Sequence, residues 1–87
     1  MIKGKTKSGF EYKIAEARLK NYELIEALSD LDDDPLALPK VVRLLLGKEL
    51  ADKLKNHVRT PDGLVPSEKL SDEIKEIFES QNQLKNS

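Results

Sequence analysis

Leu38-Pro39-Lys40-Val41-Val42-Arg43-Leu44-Leu45-Leu46-Gly47-Lys48-Glu49-Leu50-Ala51-Asp52-Lys53-Leu54-Lys55-Asn56-His57-Val58 is the stretch on which the fold turns. Its apolar residues recur at helical spacing on both sides of Gly47, but not in one phase. In a continuous helix at about 100° per residue, Leu50, Leu54 and Val58 would face nearly opposite to Leu38, Val42 and Leu45. A C-terminal cap at Gly47 lets both stripes face one core. The pattern therefore predicts two helices, about 38–46 and 48–58. Pro39 sits near the first turn, where its missing N–H costs nothing. Leu38, Val41, Val42, Leu45 and Leu46 form the leading stripe, with Lys40 and Arg43 opposite. Leu44 lies off the main arc and widens it to roughly half the wheel.

Upstream, Leu24, Ile25, Ala27, Leu28 and Leu31 share an apolar arc that predicts a helix over about 21–31. Asn21 suits its N-cap, and Glu23 in the first turn suits the helix dipole. Asp30, Asp32, Asp33 and Asp34 oppose that dipole at the other end, and Pro35 disfavours helical geometry at Asp34. Ala15 to Lys20 is a connector with no clear period. Before it, Phe10, Tyr12 and Ile14 alternate with Glu11 and Lys13, while Ile2, Gly4 and Thr6 alternate with Lys3, Lys5 and Lys7. This period of two predicts a β-hairpin over 1–14, closed by Lys7-Ser8-Gly9 with Gly9 at positive φ. Downstream, Thr60-Pro61-Asp62-Gly63 marks a turn and Leu64-Val65 a return to the core. A last helix is expected over about 67–80, with Ser67 as N-cap, Glu68 in its first turn and a stripe of Leu70, Ile74, Ile77 and Phe78. Residues 81–87 read as a frayed polar tail. The expected architecture is one α+β domain over 1–80, a hairpin packed on about four short helices.

Composition narrows the function. The 87 residues carry 15 Lys plus Arg against 16 Asp plus Glu, a formal charge of -1. No net positive field draws such a chain to phosphate, so a strongly basic nucleic-acid binder is disfavoured. No apolar run nears the roughly 20 residues of a membrane span, and Met1 to Ile14 has no apolar signal-peptide core. The chain has no cysteine, which excludes a disulfide scaffold, a thiolate zinc site and thiol catalysis. A cytoplasmic protein is expected. Its only aromatics are Phe10, Tyr12, Tyr22 and Phe78, so leucine and isoleucine supply most of the core.

Signals for chemistry are weak. Asp30, Asp32 and Asp34 match the first three ligand positions of a calcium loop. Pro35 then stands where the sharp-turn glycine belongs, and Val41 where the bidentate glutamate belongs. A solvated acidic loop, able to attract a basic partner, is the plainer reading. His57, the only histidine, lies at the edge of an apolar arc and reads as a partly buried structural residue. Ser67 and Ser71, the serines nearest to it by composition, read as helix cap and surface. Gly4, Gly9, Gly47 and Gly63 are isolated and form no phosphate loop. Neither an enzyme nor a cofactor is expected. The tight joint at Gly47 fits a helix-turn-helix, but Glu49 and Asp52 among Lys48, Lys53 and Lys55 make a poor recognition helix. A small DNA-binding regulator is thus the alternative reading, in a prophage if the resemblance given below holds. Tyr22, Leu36 and Leu44 lie outside their helices' main stripes. They are either covered by the hairpin and connector or exposed to a partner helix or a second copy. With Asp32, Asp33 and Asp34 they are the candidate partner-binding residues.

The succession Lys7-Ser8-Gly9-Phe10-Glu11-Tyr12, Glu23-Leu24-Ile25-Glu26-Ala27-Leu28, Asp34-Pro35-Leu36-Ala37-Leu38-Pro39-Lys40-Val41-Val42 and Leu44-Leu45-Leu46-Gly47 resembles a group of small prophage proteins. Arg59-Thr60-Pro61-Asp62-Gly63-Leu64-Val65-Pro66 and Ser71-Asp72-Glu73-Ile74 extend the similarity, which reaches from the hairpin to Phe78. These look like the tail assembly chaperones of long-tailed phages of Gram-positive bacteria. The resemblance implies a non-enzymatic protein without a cofactor, encoded between the major tail protein and the tape measure protein. It implies binding to the tape measure protein, which is kept soluble while tail tube subunits polymerise around it, and absence from the finished tail. It also implies a longer form made by ribosomal frameshifting, of which this chain would be the short counterpart. The matching motifs are turns, caps and core leucines. The candidate contact residues come from the helical wheels and not from the family.

Overall fold

The computed structural model describes residues 1–86, with side chains as far as Gln81. Strands β1 (Ile2–Lys5) and β2 (Glu11–Ile14) form an antiparallel hairpin. Four helices follow: α1 (Glu16–Leu19), α2 (Tyr22–Asp33), α3 (Leu38–Val58) and α4 (Ser67–Asn86). A 3₁₀ turn over Pro35–Ala37 leads into α3. The fold class is thus the expected α+β.

α3 is the centre, and α1, α2, α4 and β2 all pack against it. It is broken at Gly47, whose φ of 78° and ψ of 172° are closed to residues with a Cβ. The break does what the phase requires. Leu45 before it and Leu54 after it are both completely buried, beside Val41, Val42, Leu46 and Ala51. The carbonyls freed at the joint find a partner that the sequence does not advertise. α1 shapes the stretch without a clear period into a single turn, from which Arg18 Nη1 donates to the carbonyls of Leu44 (3.1 Å) and Arg43 (3.4 Å). A cation at a helix C-terminus also suits the dipole there.

Phe10, Tyr12 and Ile14 all point into the core. Gly4 faces Tyr12 across the ladder, and a Cβ at Gly4 would run into the tyrosine ring. The Tyr12 hydroxyl accepts from Gln81 Nε2 at 3.0 Å, which ties the hairpin to α4. Asn21 caps α2 by accepting from the Glu23 amide at 3.1 Å. α2 stops at Asp33, where the acidic run and Pro35 end it. Asp34 then accepts from the Leu36 amide at 3.0 Å, capping the 3₁₀ turn.

The helix expected from about residue 38 does begin at Leu38, after the 3₁₀ turn. Three details correct the sequence pattern. Ile25 sits at the solvent edge of its arc rather than inside it, because α2 buries only the Leu24–Ala27 side fully. Ser67 is the first residue of α4 and not its cap, since the Pro66 carbonyl accepts the first helical bond, from Leu70. α4 also continues past residue 80 to Asn86. Of the polar tail expected over 81–87, residues 81–86 belong to this helix and Ser87 lies outside the described residues. In the linker before α4, Gly63 closes the expected turn with φ 89° and Val65 docks on the core, while Leu64 stays exposed.

Candidate functional site

Two places in the fold gather side chains with a use beyond packing. The first lies under the hairpin turn. Glu73 points inward from α4 and is only 7% exposed. Its Oε1 accepts from Thr6 Oγ1 and Ser8 Oγ, each at 2.8 Å. Ser8 Oγ also lies 3.0 Å from His57 Nε2, and the His57 ring rests on Phe10 with centroids 5.5 Å apart. Serine, histidine and glutamate are therefore adjacent, but in the wrong order for nucleophilic attack. A hydroxyl has one proton, and the carboxylate takes it. The tautomer that completes this network has Nε2 donating to Ser8 Oγ, not accepting its proton. The acid orients the serine instead of the imidazole.

The amides of the turn are also engaged. Lys7 N–H donates to Glu76 Oε2, Gly9 N–H to the Thr6 carbonyl and Phe10 N–H to Thr6 Oγ1. The cluster pins the hairpin to the helices. It also corrects the expectation for His57, which is exposed at the rim of this network rather than partly buried. The serine beside it is Ser8, not Ser67 or Ser71. Replacing Thr6 with valine removes a donor to Glu73 and the acceptor of Phe10 N–H. It is expected to lower stability by about 1.5–3 kcal/mol, seen as a reduced urea midpoint with an unchanged slope.

The second place is a groove of about 840 Å³ between the 3₁₀ turn, α3 and the start of α4. Leu31, Leu38, Val42, Ala51, Val65 and Leu70 give it an apolar lining. Leu36 stands at its edge, 85% exposed. Arg43, Lys55 and Lys75 bring three cations to the lining and Glu68 one anion. The volume has room for the roughly three or four apolar side chains that two turns of an amphipathic helix present. The walls come from segments far apart in the chain, so no local period marks the groove, and each leucine in it except Leu36 reads simply as core.

Of the six candidate partner residues, Leu36 lines the groove. Asp32, Asp33 and Asp34 are exposed on the short segment between two lining residues, Leu31 and Pro35. Tyr22 is 71% exposed but lies at the start of α2, away from the groove lining. Leu44 is half-buried and packed against the core. Leu36→Asp is accordingly expected to change stability by about 0.5 kcal/mol or less. Leu44→Asp places a charge against apolar side chains and is expected to cost about 2 kcal/mol. Thermal melts of the two variants side by side check both values.

Among the described residues, no group of three acidic or histidine side chains is placed to hold a metal ion. No helix among them is long and apolar enough to cross a membrane. Comparison with family models, curated proteins and solved structures gives no match.

Proposed function

We propose that this protein is a phage tail assembly chaperone that binds the tape measure protein, keeps it soluble and assists polymerisation of the tail tube protein, without catalysis or a cofactor. The observation that carries the reading is the apolar groove with Leu36 exposed at its edge. A fold this small has little apolar surface to spare, and leaving a leucine in water beside an open apolar groove makes sense when another chain covers both. A long helical client offers amphipathic turns of the right size, and many weak contacts along it add up through multivalency. The sequence resemblance points to the same role, and the host cytoplasm is where tails are assembled.

Affinity capture with tagged protein from cells in the lytic phase, read by mass spectrometry, tests the proposal. Recovery of the tape measure protein or the tail tube protein is the expected result. Recovery of neither overturns it. Tight, salt-sensitive DNA binding in a mobility-shift assay would favour the regulator instead.

A further inference from the structure

The geometry points to one chemical class of occupant for the groove: an amphipathic α-helix whose apolar stripe is flanked by glutamate or aspartate. This deepens the chaperone reading and rests on its premise that a helical client docks here. The lining decides the apolar part. Leu31, Leu38, Val42, Ala51, Val65 and Leu70 bind best to leucine-like side chains.

The charges decide the flanks. Arg43, Lys55 and Lys75 stand among the lining residues against a single anion, Glu68. Lys55 also lies 3.4 Å from Asp52, but both side chains are about half exposed, and such a surface pair exchanges readily for another carboxylate. Carboxylates also stand close by, Asp52 on Lys55 and Asp32, Asp33 and Asp34 at one end, so the cationic character belongs to the lining itself. An acidic flank meets complementary charge where it passes Arg43, Lys55 and Lys75, and a basic flank meets repulsion there. Asp32, Asp33 and Asp34 adjoin the Leu31–Leu36 end of the groove. They favour the electropositive N-terminus of the docked helix at that end, which gives the occupant a direction.

Two synthetic 20-residue helical peptides test the inference. They share one leucine stripe and differ only in carrying glutamate or lysine at the flanking positions. Each is titrated into the isotopically labelled whole chain and followed by backbone amide shifts. The expected result is that the glutamate peptide moves Val42, Ala51 and Leu70 and binds about tenfold more tightly at low salt, with the preference fading as salt rises. The exposed triple variant Arg43→Glu/Lys55→Glu/Lys75→Glu is expected to reverse the preference. Salt dependence on the unaltered chain supplies the same test without any substitution.

Equal binding of both peptides, or shifts centred on Lys3, Lys5 and Lys13 of the hairpin, overturns the inference. Its failure is distinct from failure of the chaperone reading. Capture of the tape measure protein equally by wild type and by the triple variant would remove the groove and leave the chaperone. A filled groove with no captured tape measure protein would do the reverse.

Discussion

Gly47→Ala is expected to lower the stability of this domain by about 2–3 kcal/mol, and its melting temperature by roughly 10–20 °C. The cause is backbone, not space. The atom nearest to a new Cβ is Arg18 Nη2 at 3.0 Å, the tip of a flexible side chain that can move aside. The backbone at φ 78° and ψ 172° has no such freedom. An alanine there has two options. It can hold the strained geometry, or it can let α3 run through as one helix. The second rotates 48–58 about its axis and swings Leu54 out of the core, which costs more than the strain. A thermal melt monitored by circular dichroism reads the loss. A melting temperature unchanged by the substitution would mean that α3 tolerates a continuous path and that the break is incidental.

Leu54→Ala should be the most damaging single truncation in the trailing half of α3, at about 3–4 kcal/mol. Leu54 is fully buried and belongs to the same cluster as Leu45 from the other side of the break. Emptying that site leaves a cavity whose walls come from separate elements and cannot all collapse inward. Leu50→Ala, at a half-buried position on the same stripe, is expected to cost about half as much. Urea denaturation of the pair checks the ratio. If the two truncations cost the same, the trailing helix is not seated by Leu54. For a domain whose total stability falls in the usual range of about 5–15 kcal/mol, either of the large losses threatens folding in the cell.

The fold was legible wherever the physics is local. The phase reversal across Gly47, the alternation of Phe10, Tyr12 and Ile14, the Asn21 cap and the turn at Gly63 all depend on neighbours within a few residues. What escaped depends on distant partners. Arg18 looks like a surface charge in an aperiodic connector until its guanidinium is seen against the end of a helix 25 residues away. Glu73 occupies an inward position that a carboxylate does not usually take, and only Thr6 and Ser8 from the hairpin turn explain it. The groove shows the same limit. Leu36 could be singled out because it lies off its helix's stripe. Val65, Leu70 and Lys75 could not, because nothing near them in sequence reveals that they face Leu31 and Leu38 across a gap. Helical wheels find an unplaced side chain but not the space it borders.

The most direct test of the proposed chaperone role is co-expression with the tape measure protein of a long-tailed phage, followed by separation of soluble and pelleted protein. Wild type is expected to carry the tape measure protein into the soluble fraction and to co-elute with it. Leu36→Asp, folded as well as wild type, is expected to leave it in the pellet. A tape measure protein that stays in the pellet beside wild type, or is rescued equally by the Leu36→Asp variant, would contradict that role.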